Sequence, residues 1–181
     1  MGEQVSVVSS VWENFFRNHK KDDDNLEKLL SEVPIFSQLT SRELRQVSGI
    51  VHRRQYSAGE YVFAQGDPGL GMYVIEEGEV SIMFFDDAGR EKKLALLKSG
   101  DFFGDLSLLD ESPRSAAAIS KTESKIIGFF RPDLINLLSR SPKLGTKILF
   151  KLGEVIGTRL RVTNEQLAKL NAELEKIRNK K

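Results

Sequence analysis

No cysteine occurs among the 181 residues, which removes disulfide frameworks, thiolate metal sites and a cysteine nucleophile from consideration. Histidine is nearly absent: His19 and His52 are the two copies. Neither belongs to a local metal or triad motif, so imidazole catalysis has no foothold. The run Asp22-Asp-Asp24 reads as a helix start rather than a metal site, and no candidate nucleophile has an identifiable base. Neither enzymatic activity nor a metal or cofactor is expected. Long apolar runs are missing as well. The longest, such as 82–85 and 126–130, fall far short of the roughly 18 residues of a membrane helix. The opening Met-Gly-Glu-Gln lacks the basic and apolar regions of a secretory signal. Gly2 and Ser6 fit a lipidation pattern too short to carry a membrane assignment. A cytoplasmic location is the default expectation. Charge of one sign is also lacking: 27 basic and 26 acidic side chains leave a net +1, without the clustered excess that nucleic acid requires. The local excess after residue 150, eight Lys or Arg against four Glu, reads as a solvated helix with a basic end.

What is present is enough for one domain with flanking helices, with 40% hydrophobic residues to build a core. Val8, Val11, Trp12, Phe15 and Phe16 recur at helical spacing, an aromatic stripe suited to the body of the protein or to a partner chain. A second helix is expected around Leu26 to Leu30, capped by Asp24. Ser41 and Glu43 open a short helix carrying Leu44, Val47 and Ile50. From residue 51 the period changes. Short strand-like runs alternate with turn residues at Gly59, Gly66-Asp-Pro-Gly69, Gly78 and Asp86-Asp-Ala-Gly89, and Lys125 to Phe130 forms a last strand. The class is α+β, with an antiparallel β-barrel or jelly roll at its centre.

Helical periodicity returns at Arg131-Pro-Asp, where proline suits a first turn. One long helix is expected from about 142 to 178. Ile148, Leu152, Ile156 and Leu160 recur in fours; Leu160, Thr163, Leu167, Leu170, Leu174 and Ile177 then form a coiled-coil seam. Gly145, Gly153 and Gly157 each weaken the helix by up to about 1 kcal/mol or admit close backbone packing. Such a helix is about 55 Å long. Its far end outruns a domain of this size and calls for a second copy, so a parallel homodimer is expected. The division is therefore 1–33, an N-terminal helical segment; 34–140, a β-roll; and 141–181, a long dimerisation helix.

The stretch that carries chemistry is Gly100-Asp-Phe-Phe-Gly-Asp-Leu-Ser-Leu-Leu109, followed closely by Pro113-Arg-Ser-Ala116. Gly104 can open a single helical turn, whose first N–H groups have no intrahelical partner and suit an anion. Arg114 can add a bidentate contact to that anion, Ser115 a hydroxyl, and Asp105 an acceptor for sugar hydroxyls. An anion joined to a sugar is a nucleotide.

These residues closely resemble the phosphate-binding cassette of cyclic-nucleotide-binding domains, the family of bacterial catabolite-activator (Crp/Fnr) regulators, protein kinase A regulatory subunits and nucleotide-gated channels. Gly59-Glu, Gly66-Asp-Pro-Gly69, Tyr73-Val-Ile and Gly78-Glu-Val80 resemble the family's turns and strands, and the likeness runs over about residues 34 to 165. It implies a ligand site of Phe103, Gly104, Asp105, Leu106, Ser107, Arg114, Ser115 and Ala116. In it Arg114 binds the exocyclic phosphate oxygens and the carboxylate at 105 holds the ribose 2′-hydroxyl. The family usually has glutamate there. Asp105 is one methylene shorter, about 1 Å, enough to stretch a hydrogen bond past its useful range unless backbone or water adjusts.

Leu160-Arg-Val-Thr-Asn-Glu165 resembles the helix that touches adenine across the dimer in the bacterial activators, which places Thr163 and Asn164 against the base. Thr163 as a polar seam residue can equally fix register, and the two roles are compatible. The implied ligand is cAMP, with cGMP the second candidate. Its binding would be coupled to dimer geometry, and the downstream partner is an unknown protein, for which the Trp12–Phe15 segment is the docking candidate. The activators continue into a helix-turn-helix domain; this sequence runs to Lys181 without one, so direct DNA binding is not expected. The competing reading is a family member that binds no nucleotide and serves as a dimerisation or docking module. Asp105 favours it. Arg114 and Ser115 oppose it, because an arginine facing a helix N-terminus has no evident structural purpose.

Overall fold

A computed structural model describes residues 24–178. The expectations placed on Gly2, Ser6, the Val8–Phe16 stripe and His19 lie outside these residues. Helix α1 covers 24–32 and is followed by a 3-10 turn, Pro34–Phe36. Asp24 is already helical, so it does not cap this helix as expected. Helix α2, Ser41–Ser48, opens at Ser41 as expected, and Thr40 caps it. Thr40 and Glu43 exchange hydrogen bonds in a capping box, Thr40 Oγ1 accepting from Glu43 N and Glu43 Oε2 from Thr40 N.

Eight strands follow: β1 (His52–Tyr56), β2 (Tyr61–Phe63), β3 (Gly71–Glu77), β4 (Glu79–Phe85), β5 (Glu91–Lys98), β6 (Phe102–Phe103), β7 (Ala117–Ser120) and β8 (Ser124–Phe130). They form two antiparallel four-stranded sheets, ordered β1-β8-β3-β6 and β2-β7-β4-β5, the jelly-roll arrangement expected. Helix α3 (Arg131–Arg140) and helix α4 (Pro142–Arg178) complete the described residues. At the start of α3, Phe130 N donates to Asp133 Oδ2 at 3.0 Å.

The sequence of β8 explains the layering. Ile126, Ile127 and Phe129 are all buried, so this strand has no polar face. Ile126 packs between the sheets with Tyr56, Ile75, Val80, Phe103 and Ala118. Ile127 and Phe129 face the opposite way, with Met72 and Val74, under a helical layer of Leu26, Leu30, Phe36, Val47, Leu134, Leu144, Ile148 and Leu152. A strand covered on both faces reads as a continuous apolar run. Each such side chain, fully buried, contributes about 1.5–3 kcal/mol. At the sheet edge, β1 is charged and exposed except at Tyr56, as unpaired edges usually are.

Helix α4 enters this core with its first three turns. Its buried residues are Leu144, Gly145, Ile148 and Leu152. A Cβ on Gly145 would come within 2.8–2.9 Å of Leu138, whereas Gly153 has nothing within 4 Å, so close packing accounts for the first glycine and not for the second. Among the described residues no helix is long and apolar enough to cross a membrane.

Candidate functional site

The cassette opens at the end of β6, where Gly104 adopts φ +74°. That left-handed backbone turns the chain into a 3-10 turn, Asp105–Leu108, and glycine takes it without the steric cost of a Cβ. A second strut comes from the turn before β3: Gly66 N donates to Arg114 O at 2.9 Å and Arg114 N to Asp67 O at 2.8 Å. The cassette turn and the loop that carries Arg114 wall a cavity of about 490 Å³, within the range usual for small-molecule sites. Its apolar side is made by Phe63, Ile82, Ala95, Leu97 and Phe102.

Arg114 lies in that wall, 6% exposed. Nη2 donates to Gly71 O at 2.7 Å, and Nη1 to Ser107 Oγ at 2.8 Å and Gly104 O at 3.3 Å. The guanidinium carbon stands 4.1 Å from the Phe63 ring centre and 5.5 Å from that of Tyr73, a cation–π arrangement. The side chain thus has a structural role, which corrects the expectation that it has none. Burial pushes its pKa below the ordinary arginine value, opposed by Tyr73 and Asp67. It makes no ion pair among the described residues. A buried cation surrounded by carbonyls is short of negative charge.

Asp105, 3% exposed, does not answer it. Its Oδ1 accepts from Arg159 Nη1 of helix α4 at 2.6 Å, and that guanidinium also covers the Phe102 ring at 4.6 Å. Asp105 Oδ2 and Arg114 Nε are the two buried side-chain polar atoms without a hydrogen-bond partner among the described residues. Such groups are rare and costly in folded proteins. Here both belong to residues that line one cavity.

The cavity brings together Phe103, Gly104, Asp105, Leu106, Ser107, Arg114, Ser115 and Ala116, all named from the sequence. Thr163 and Asn164 do not line it. They are exposed on α4, one turn beyond Arg159, where Thr163 Oγ1 donates back to Arg159 O at 2.9 Å. Sequence reasoning missed Arg159 itself, although a residue four before Thr163 shares its helix face. It also missed the apolar wall of Phe63, Ile82, Ala95 and Leu97, whose residues look like ordinary strand positions until the sheets are paired.

Residues 53–141 match the family model described as the cyclic nucleotide-binding domain. The "Cyclic AMP receptor protein" of Thermus thermophilus is 33% identical over 147 residues, 81% of this chain and 65% of that protein. The "cAMP-dependent protein kinase regulatory subunit" of Pyricularia oryzae is 41% identical over 100 residues, 55% of this chain and 25% of its own length. The chain therefore spans just under two thirds of the first and a quarter of the second. The crystal structure of the N-terminal domain of a transcriptional regulator from Streptomyces coelicolor superposes with a TM-score of 0.66 at 31% identity, covering 76% of this chain and 95% of that one.

Proposed function

We propose that this chain, which belongs to the cyclic nucleotide-binding domain family, is a cAMP sensor that couples ligand binding to the geometry of a homodimer. The observation that carries the reading is a pair of orphaned buried atoms, Arg114 Nε and Asp105 Oδ2, on two residues that line one cavity. A cyclic phosphate supplies the anion that the Arg114 guanidinium lacks, in a bidentate fork. The ribose 2′-hydroxyl supplies the donor that Asp105 Oδ2 lacks. A purine, flat and apolar on its faces, suits the wall of Ile82, Ala95 and Leu97. No group in this scheme breaks a bond of the ligand, and the similar proteins named above are receptors and regulatory subunits. Binding without catalysis is the reading.

The route from ligand to dimer is Asp105. While Oδ2 takes the ribose, Oδ1 holds Arg159, so the ligand and helix α4 bear on one carboxylate. Beyond Leu152 that helix contributes no buried residue. Its seam residues Leu160, Leu167, Leu170, Leu174 and Ile177 are 56% to 63% exposed, suited to a parallel partner helix. Thr163 and Asn164 then read the base from the partner's side, which favours adenine over guanine. The division at residues 34 and 140, a cytoplasmic location and an unidentified downstream protein belong to the same proposal.

Calorimetric titration with cAMP and with cGMP, beside an Arg114→Ala variant, tests it. Micromolar or tighter cAMP binding that the variant loses is expected. No heat and no thermal stabilisation at millimolar nucleotide would refute it, and tighter cGMP binding would reverse the base assignment alone.

A further inference from the structure

We infer that Gln65, which does not line the cavity, is a positioning residue for the main chain of Arg114; this rests on the nucleotide reading above. The sheet itself creates the need for such a residue. Strand β7 pairs with β4 from Ser120 to Ala117, the latter opposite Met83. Residues 114–116 have left the sheet to line the cavity, and Arg114 exchanges main-chain bonds with Gly66 and Asp67 instead. Strand β4 runs on to Phe85, paired there with Glu91 of β5 and no longer with β7. Asp86 N donates across the hairpin to Arg90 O. Phe85, one residue earlier, turns its N–H and C=O to the opposite side, the side from which β7 has departed.

The Gln65 side chain takes the place of the missing strand. Its Oε1 accepts from Phe85 N at 2.8 Å and its Nε2 donates to Phe85 O at 3.0 Å, so one amide satisfies both main-chain groups. The next two residues face the other way. Gly66 N donates to Arg114 O at 2.9 Å, and Asp67 O accepts from Arg114 N at 2.8 Å. The turn 64–67 is closed on itself, because Asp67 Oδ2 accepts from Ala64 N at 2.7 Å. One short, closed turn is therefore tied to β4 on one side and to the Arg114 main chain on the other. The diversion that brings Arg114 to the cavity also leaves Phe85 without a partner strand, and Gln65 answers both. Releasing Gln65 from Phe85 lets Arg114 shift while every group that touches the nucleotide stays in place chemically.

The test measures affinity and stability together. Gln65→Met keeps the side-chain length and removes both bonds, and Gln65→Asn keeps the amide but draws it back by one methylene. Asp86→Ala is the control. It loosens the far end of the same hairpin, where Asp86 accepts from Ala88 N, Arg90 N and Arg90 Nε, and leaves the turn 64–67 untouched. Each protein is titrated by calorimetry with cAMP and its 2′-deoxy analogue, at a temperature where urea denaturation shows it folded. Loss of the two bonds is expected to weaken cAMP about fivefold to tenfold in both Gln65 variants. The 2′-deoxy analogue should weaken by the same factor, because Asp105 is unchanged. Asp86→Ala should lose stability and hold cAMP affinity within about twofold. Gln65 variants that bind cAMP within about twofold of wild type would leave the glutamine a structural patch on the sheet. Equal weakening by Asp86→Ala would place the effect in the hairpin, and a changed preference for the 2′-hydroxyl would place it in the cavity as a whole; either overturns the positioning role alone. A wild type that binds neither nucleotide overturns the nucleotide reading and this inference with it.

Discussion

At the scale of single residues, the cassette holds two opposite charges that do not neutralise each other. Arg114 bonds to carbonyls and a hydroxyl, and Asp105 pairs with Arg159 on another element. A direct Arg114–Asp105 pair would satisfy both groups and leave a ligand little to gain. Kept apart, each retains one orphaned polar atom, and a nucleotide offers the matching group to each. Removing one partner of a buried, hydrogen-bonded charge pair costs about 2–5 kcal/mol. Arg114→Lys is thus expected to weaken cAMP binding at least about thirtyfold by calorimetry, because an ammonium cannot reproduce the fork. Asp105 has a subtler signature. Wild type should prefer cAMP to its 2′-deoxy analogue about tenfold, and Asp105→Ala should bring that ratio close to one. A ratio that survives the substitution would mean that another group reads the ribose.

Among the elements, the 3-10 turn after Gly104 decides whether those residues meet, and a matched pair of glycines separates its two requirements. Gly104 and Gly89 have φ values of +74° and +73°, so alanine at either meets a left-handed penalty of about 1–2 kcal/mol. A Cβ at Gly89 finds nothing within 4 Å, whereas at Gly104 it lies 2.6 Å from Arg114 Nη1. Urea denaturation should show a larger loss for Gly104→Ala, which displaces the buried guanidinium, than for Gly89→Ala, and only Gly104→Ala should lose cAMP binding. The turn and its arginine were legible in the sequence because Gly104, Asp105 and Arg114 lie within eleven residues. The apolar wall was not, because Phe63, Ile82 and Leu97 come together only through the order β2-β7-β4-β5. The start of α2 at Ser41 was read from its polar residues, whereas Asp24 was misread as a cap, because a charge run does not distinguish a cap from a helical position. Helix α2 is tied to α4 through Glu43, which accepts from Lys147 Nζ at 2.7 and 2.9 Å. That bond, with further bonds from Thr40, holds the Glu43 carboxyl below its ordinary pKa. A carboxyl depressed in the folded state adds stability above its unfolded pKa and loses it as pH falls through the folded value. Glu43→Gln should therefore lower the melting temperature at neutral pH and converge with wild type in acid.

For the whole molecule, the decisive fact is that a helix of 37 residues, about 55 Å long, buries only its first three turns in its own core. The remainder presents Leu160, Leu167, Leu170, Leu174 and Ile177 to solvent, a length of apolar seam that a monomer gains nothing by exposing. Periodicity made this exposed apolar stripe legible from sequence, since helical spacing is local. The link from the seam to the cavity was not, because Arg159 reaches an aspartate 54 residues earlier in the chain. If Asp105 joins ligand and helix as proposed, ligand affinity and dimer affinity are two readings of one coupling free energy. Reciprocity then makes a quantitative demand: the factor by which cAMP tightens the dimer equals the factor by which dimerisation tightens cAMP. Leu167→Glu with Leu174→Glu puts like charges into the seam far from the cavity and should give a monomer by sedimentation. Comparing wild-type dimer dissociation with and without cAMP yields the first factor, and cAMP titration of the double variant against wild type yields the second. Equal factors well above one are expected, with Arg159→Ala reducing both toward one while the dimer persists. A monomeric variant that binds cAMP as tightly as wild type would leave α4 a dimerisation helix without a part in sensing.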